Sequence, residues 1–191
     1  MKMVSRVVFG LSLLTLSLLP WAAAQAQGGF VIKNISAVQD SSPDLQAPPA
    51  TSKPFTPGKW LEIEVEFSAT PPGAQELQFK YYVLIGNKLL TGDVTHINVL
   101  PGQSLHSIMY VAPNTLASVL NGQPFTPSAV QNAEVQILKP GVGAPMASKQ
   151  LKPGPSLATS SFPQLPGLML NKNDTPFAPL YWDRYEAIKA K

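Results

Sequence analysis

Nineteen of the 20 prolines lie between residues 43 and 179, and that distribution limits the fold more than any other feature of the chain. Proline lacks the amide hydrogen that a helix interior needs, and its ring clashes with the preceding turn. The chain is broken into short extended pieces, and a bundle of long helices is excluded. Between the prolines the pattern alternates. In Trp60–Phe67, Leu61, Ile63, Val65 and Phe67 face one way while Trp60, Glu62, Glu64 and Glu66 face the other. This period of two predicts a half-buried antiparallel strand.

Phe30–Gln39, rich in β-branched residues, reads as a first strand, and Asp40–Gly58, with five prolines, as a long and partly extended loop. Thr70-Pro71-Pro72-Gly73 turns the chain into Leu77–Ile85, which puts Leu77, Phe79, Tyr81, Val83 and Ile85 on one face. Gly86-Asn87-Lys88 then connects to Leu89–Val99 as a hairpin. Pro101 and Gly102 occupy the central positions of a type II turn, which predicts that Asp93–Val99 pairs with Ser104–Val111. Pro113–Gly122 predicts a short helix carrying Leu116, Val119 and Leu120, capped by Asn114 or Thr115 and stopped by Gly122. Val130–Lys139 alternates again, with Ala133, Val135 and Ile137 inward, and Ala144–Leu151 follows as a last strand.

Six or seven strands about ten residues apart, with turns between them and no helical layer, predict an all-β fold: an antiparallel β-sandwich of immunoglobulin-like type with a short connecting helix and an extended, Pro-rich C-terminal tail. The disulfide and core tryptophan of antibody domains are missing, so this reading rests on strand count and spacing. A jelly roll and a small barrel are the alternatives.

Residues 1–26 read as a signal peptide. Lys2 and Arg6 form a cationic start, Val7–Leu19 a short apolar run, and Ala24-Gln25-Ala26 a small-residue cleavage site, with the cut between Ala26 and Gln27. The sandwich then occupies residues 27–151 and the tail residues 152–191. No later stretch is apolar for long enough to predict a membrane span. Lys2 and Arg6 account for two of the three net positive charges, which leaves 12 basic against 11 acidic residues. Nucleic-acid binding loses its electrostatic basis at that balance. The chain has no cysteine, so an exported protein of this kind holds itself together by packing alone. That points to a bacterial envelope, in the periplasm, at the cell surface or secreted.

Candidate chemistry is sparse. The predicted pairing would set His96 and His106 opposite each other with Asp93 nearby, but metal sites need three or four convergent ligands. The imidazoles are read as surface groups, with no metal or cofactor. Glu62, Glu64 and Glu66 lie about 7 Å apart along a strand and are read as a solvated face rather than a calcium site. No Gly-x-Ser-x-Gly elbow and no Ser, His and acid set with a local signature is present, so the chain is read as non-enzymatic, with a small hydrolase as a remote alternative. Trp60, Tyr82 and Trp182, if exposed, would suit stacking on sugar rings, which makes a glycan-binding module the other alternative.

The most distinctive string is Asn171–Glu186, whose Phe177, Tyr181, Trp182, Arg184 and Tyr185 are residue types enriched where proteins bind one another. These five are the candidate partner-binding residues, for a protein partner in the bacterial envelope. Leu180–Ala190 is read as a short helix with Tyr181, Arg184, Tyr185 and Ile188 on one side. The competing reading is that this apolar tail packs on its own domain. At Thr175–Glu186 the sequence resembles a family of small exported proteins of Verrucomicrobia-type bacteria that carry an immunoglobulin-like domain and end in such a string. The resemblance implies association with type IV pilus-like assembly machinery, and brings no catalytic residues. Gly28-Gly29-Phe30 resembles a prepilin cleavage site only superficially, since the apolar segment precedes it.

Overall fold

The computed structural model describes residues 29–44 and 56–190. The signal peptide, its cleavage site at Ala26 and Gln27, and the middle of the first long loop lie outside the described residues. Nine strands are present among them: β1 (Phe30–Ser41), β2 (Lys59–Ala69), β3 (Ala74–Ile85), β4 (Lys88–Val99), β5 (Gly102–Val111), β6 (Val130–Leu138), β7 (Ala147–Gln150), β8 (Gln164–Pro166) and β9 (Met169–Asn171), with a helix, α1 (Pro113–Val119). They form two sheets, ordered β1-β2-β5-β9 and β7-β6-β3-β4-β8. Strands one, two and five in one sheet against three, six and seven in the other is the immunoglobulin-type arrangement.

Alternation builds the core. Leu61, Ile63, Val65 and Phe67 of β2 face Leu77, Phe79, Tyr81, Val83 and Ile85 of β3, all fully buried, and Phe67 meets Phe79 edge-on at 4.9 Å. Each such aliphatic or aromatic side chain contributes about 1.5–3 kcal/mol on leaving water.

The predicted pairing of β4 with β5 is wrong. β4 pairs with β3 in the second sheet, and β5 pairs with β2 in the first. A prolyl-glycyl turn serves a sheet-to-sheet crossing as well as a hairpin, and here Asn98, at φ 54°, helps turn the chain out of β4. Burial decides between the two: the inner residues of both strands, Leu90 and Val94 on one and Met109 and Val111 on the other, all enter one core. The cap of α1 also differs from expectation. Its N-cap is Ala112 and has no side-chain hydrogen bond; Pro113 starts the helix because its fixed φ is already helical.

The tail packs on its own domain and completes both sheets. Leu157 covers Leu84 and Leu89 on the outer face of the second sheet. Its backbone N–H donates to the Glu134 carboxylate at 2.6 Å, joined by Ser156 Oγ at 3.0 Å and Gln150 Nε2 at 3.3 Å. Desolvation works to raise the Glu134 pKa, but these neutral donors, with Gln136 and Ser148, outweigh it and hold the group below its ordinary value. β8 then runs parallel to β4 and β9 antiparallel to β5. Gly92 of β4 permits that closure, because a Cβ there would lie 2.7 Å from Met169 Cβ.

Past a 3₁₀ turn at Lys172–Asp174, the predicted helix over 180–190 is absent. The segment forms successive turns, with Tyr181 at φ 51°, and then ties the two sheets together. Glu186 N donates to His106 O of β5 at 3.1 Å, Ile97 N of β4 to Ala187 O at 2.9 Å, and Lys189 N to Thr95 O at 2.8 Å. Hydrogen bonds to strands outcompete the weak propensity of so short a helix.

Candidate functional site

Trp60 was expected among the exposed residues of β2. It is buried, because the tail lies over the outer face of the first sheet. Phe177 stacks on Tyr110 at 4.5 Å with planes 4° apart, and meets Trp60 edge-on at 5.6 Å. Leu170, Leu180 and Tyr185 complete this second apolar cluster. Local hydrogen bonds shape the approach: Thr175 Oγ1 donates to Lys172 O at 2.7 Å, Phe177 N donates to Thr175 Oγ1 at 3.2 Å, and the buried Lys172 ammonium donates to Ala178 O at 2.7 Å. Burial lowers the Lys172 pKa.

The acidic row is not a free wet face either. Glu64 Oε1 accepts from Arg184 Nη2 at 2.5 Å and Nε at 3.2 Å. His106 Nδ1 lies 2.7 Å from the same oxygen and makes no hydrogen bond. Glu66 accepts from Ser104 Oγ at 3.0 Å. Burial, then the charges of Asp40 and Glu64, raises the Glu62 pKa. The Tyr185 ring sits beneath the Arg184 guanidinium at 5.9 Å, and burial with the Glu64 and Glu62 charges pushes its phenol up to about 12. Because Arg184 is half exposed, Arg184→Gln should lower stability by no more than about 1 kcal/mol, read as a small shift of the urea midpoint.

The five candidate residues therefore divide. Phe177 is an internal anchor, Tyr185 is half-buried, and Arg184 clamps the turn to β2. Tyr181 and Trp182 point outward, 63% and 79% exposed. They sit at the tip of a turn whose two ends are pinned by Phe177 and Arg184, with Tyr181 in the left-handed region that bulky residues rarely adopt.

His96 was expected at the surface and is buried instead, 1% exposed. It joins a polar chain across the core that no spacing in the sequence announces. Tyr81 OH donates to Ser107 Oγ at 2.7 Å, Ser107 Oγ donates to His96 Nε2 at 2.7 Å, and His96 Nδ1–H donates to the Glu186 carbonyl at 3.0 Å. The carbonyl acceptor fixes the tautomer. Burial drops the His96 pKa to about 4 and raises that of Tyr81. The pair has the contact of a nucleophile and its base, but no carboxylate stands behind the imidazole, and Ser107 is fully buried. A small concavity of about 180 Å³ between Asp93–Thr95 and Ile188–Ala190 is lined by neither residue. A larger groove, about 840 Å³, lies between the 70–73 turn and the 139–146 loop, with mostly apolar walls that include Phe30, Leu77, Pro145 and Met146; Leu77 is the strand neighbour of His96. Among the described residues no three His, Asp or Glu side chains converge as metal ligands. No helix among them is long and apolar enough to cross a membrane.

A family model matches residues 21–191. A crystal structure of a protein from Akkermansia muciniphila, a member of the Verrucomicrobia, is similar with a TM-score of 0.69 and 21% identity, covering 86% of this chain and 95% of that one. At that identity it speaks for the fold. None of the curated proteins matches.

Proposed function

We propose that this chain, which belongs to the family whose model matches residues 21–191, acts as a non-enzymatic contact module of a bacterial envelope, exported by its N-terminal segment and presenting the Tyr181–Trp182 turn to a protein partner. The observation that carries this reading is a large aromatic pair left in water while the residues on both sides of it are tied down. Rigid exposed aromatics bind with little loss of side-chain freedom. The resemblance of Thr175–Glu186 to exported proteins associated with type IV pilus-like machinery supports a place in such an assembly. The burial of both Ser107 and His96 favours contact over catalysis.

The test is a double variant, Tyr181→Asn and Trp182→Ser, that leaves Phe177 and Arg184 in place. Its thermal midpoint should match the parent, while capture of envelope partners by immobilised protein falls at least tenfold. Equal capture by both proteins removes the turn as the binding surface. Trp182 also keeps the glycan-binding reading open, although Trp60 no longer supports it. A glycan array that loses its signal on Trp182→Ser would favour that reading, and one with no signal for the parent would end it.

A further inference from the structure

We propose that β1 is a self-pairing edge, and that two copies of this chain join their first sheets by antiparallel addition of β1 to β1. The other edges are closed among the described residues. β8 has three residues, preceded by Pro163 and ending on Pro166, and β9 has three and runs directly into a 3₁₀ turn. β7 has four, and its Lys149, paired with the inward Val135, reaches Lys33 O at 2.5 Å, an inward-pointing charge that blocks edge pairing.

β1 is 12 residues long and pairs on one side alone, with β2. A bulge between Ile32 and Asn34 and the Lys149 contact blunt its first half. The second half has neither device. Ile35-Ser36-Ala37-Val38-Gln39 carries no charge, and Val38, one of the few large exposed hydrophobics, stands 43% exposed on the outer face. Exposed uncharged edges of this kind take up further strands.

A second copy fits this edge because the stretch is self-complementary in one orientation. With the two-fold axis at Ala37, Ser36 lies opposite the second copy's Val38, and Asp40 opposite its Asn34. The two Asp40 carboxylates are then about 20 Å apart at roughly 3.4 Å per residue, beyond the screening length of about 8 Å in physiological salt. Parallel pairing would set them side by side. Such a strand pair buries much less than the roughly 1,600 Å² of a standard interface, so the dimer should be weak and concentration-dependent.

Sedimentation velocity across the micromolar range tests this directly. The parent should shift from monomer toward dimer as concentration rises, with slower amide exchange along 35–39, while Val38→Lys stays monomeric with an unchanged urea midpoint. If that variant fails to fold, Ser36→Lys on the same outer face takes its place. A parent that stays monomeric throughout, or a lysine variant that dimerises like the parent, overturns the proposal. Slower exchange along 35–39 only when an unrelated extended peptide is added would make the edge a receiver for a foreign strand instead.

Discussion

Phe177→Ala should lower folding stability by about 4 kcal/mol, the usual scale for removing a core phenylalanine. The ring is 2% exposed and holds the tail to the first sheet by stacking on Tyr110 and touching Trp60. Its loss removes the middle of a three-ring cluster that the tail cannot refill, because Pro176 and Pro179 restrict the chain on either side. Urea unfolding gives the magnitude. Fluorescence in a Trp21→Phe, Trp182→Phe background gives the location, since emission from Trp60, the tryptophan that remains, should move to the red as the tail lifts. A loss below 1 kcal/mol with unmoved emission would mean that the tail contributes little to the sandwich.

Acid should act through His96. Its imidazole titrates at about 4 when folded and at about 6.5 in the unfolded chain. Between those values the unfolded chain binds a proton that the folded chain refuses, so stability falls as the pH drops through this window and is fully retained above it. At 1.36 kcal/mol per pH unit the loss approaches about 3 kcal/mol near pH 4. Glu134, held below its ordinary value, adds to the loss at the acid end, while Glu62 and Glu186, held above theirs, oppose it. The His96 share is therefore isolated by comparison with His96→Gln. That variant should be less stable at pH 7 and show a flatter decline between pH 7 and pH 5. Equal slopes would contradict the assignment. In the parent, the amides of Ile97 and Lys189 should be among the first to lose protection, because they join β4 to the segment whose Glu186 carbonyl His96 holds.

The elements legible in the sequence were those whose burial follows a local period. β2, β3 and β6 announce their inner faces by strict alternation, and the Gly86-Asn87 turn fixes one hairpin, with Gly86 and Asn87 both at positive φ. What failed was pairing at a distance. Leu100-Pro101-Gly102-Gln103 has the chemistry of a turn, and nothing within it tells whether the next strand lies beside β4 or across the core from it. His96 was misjudged for the same reason, since its partners Ser107 and Glu186 arrive from the opposite sheet and from the tail. The acidic row of β2 looked like a wet face because the segment that covers it lies 120 residues away, at Arg184. That the tail is too apolar for a free linker could be read directly, and its docking bears that out. Its path could not, because three-residue strands such as β8 and β9 leave no periodic trace.

The wrapping of both sheets by residues 157–189 also dictates when the molecule can finish folding. Its clamps join positions 90, 113 and 120 residues apart, at His96 with Glu186, Glu76 with Lys189, and Glu64 with Arg184. Contacts of such long sequence separation form slowly, and none of the three exists until the ribosome has made the far partner. Until residues 184–189 have been made the two sheets lack these three ties, and a shorter nascent chain has only the packing of its strands to hold the sandwich together.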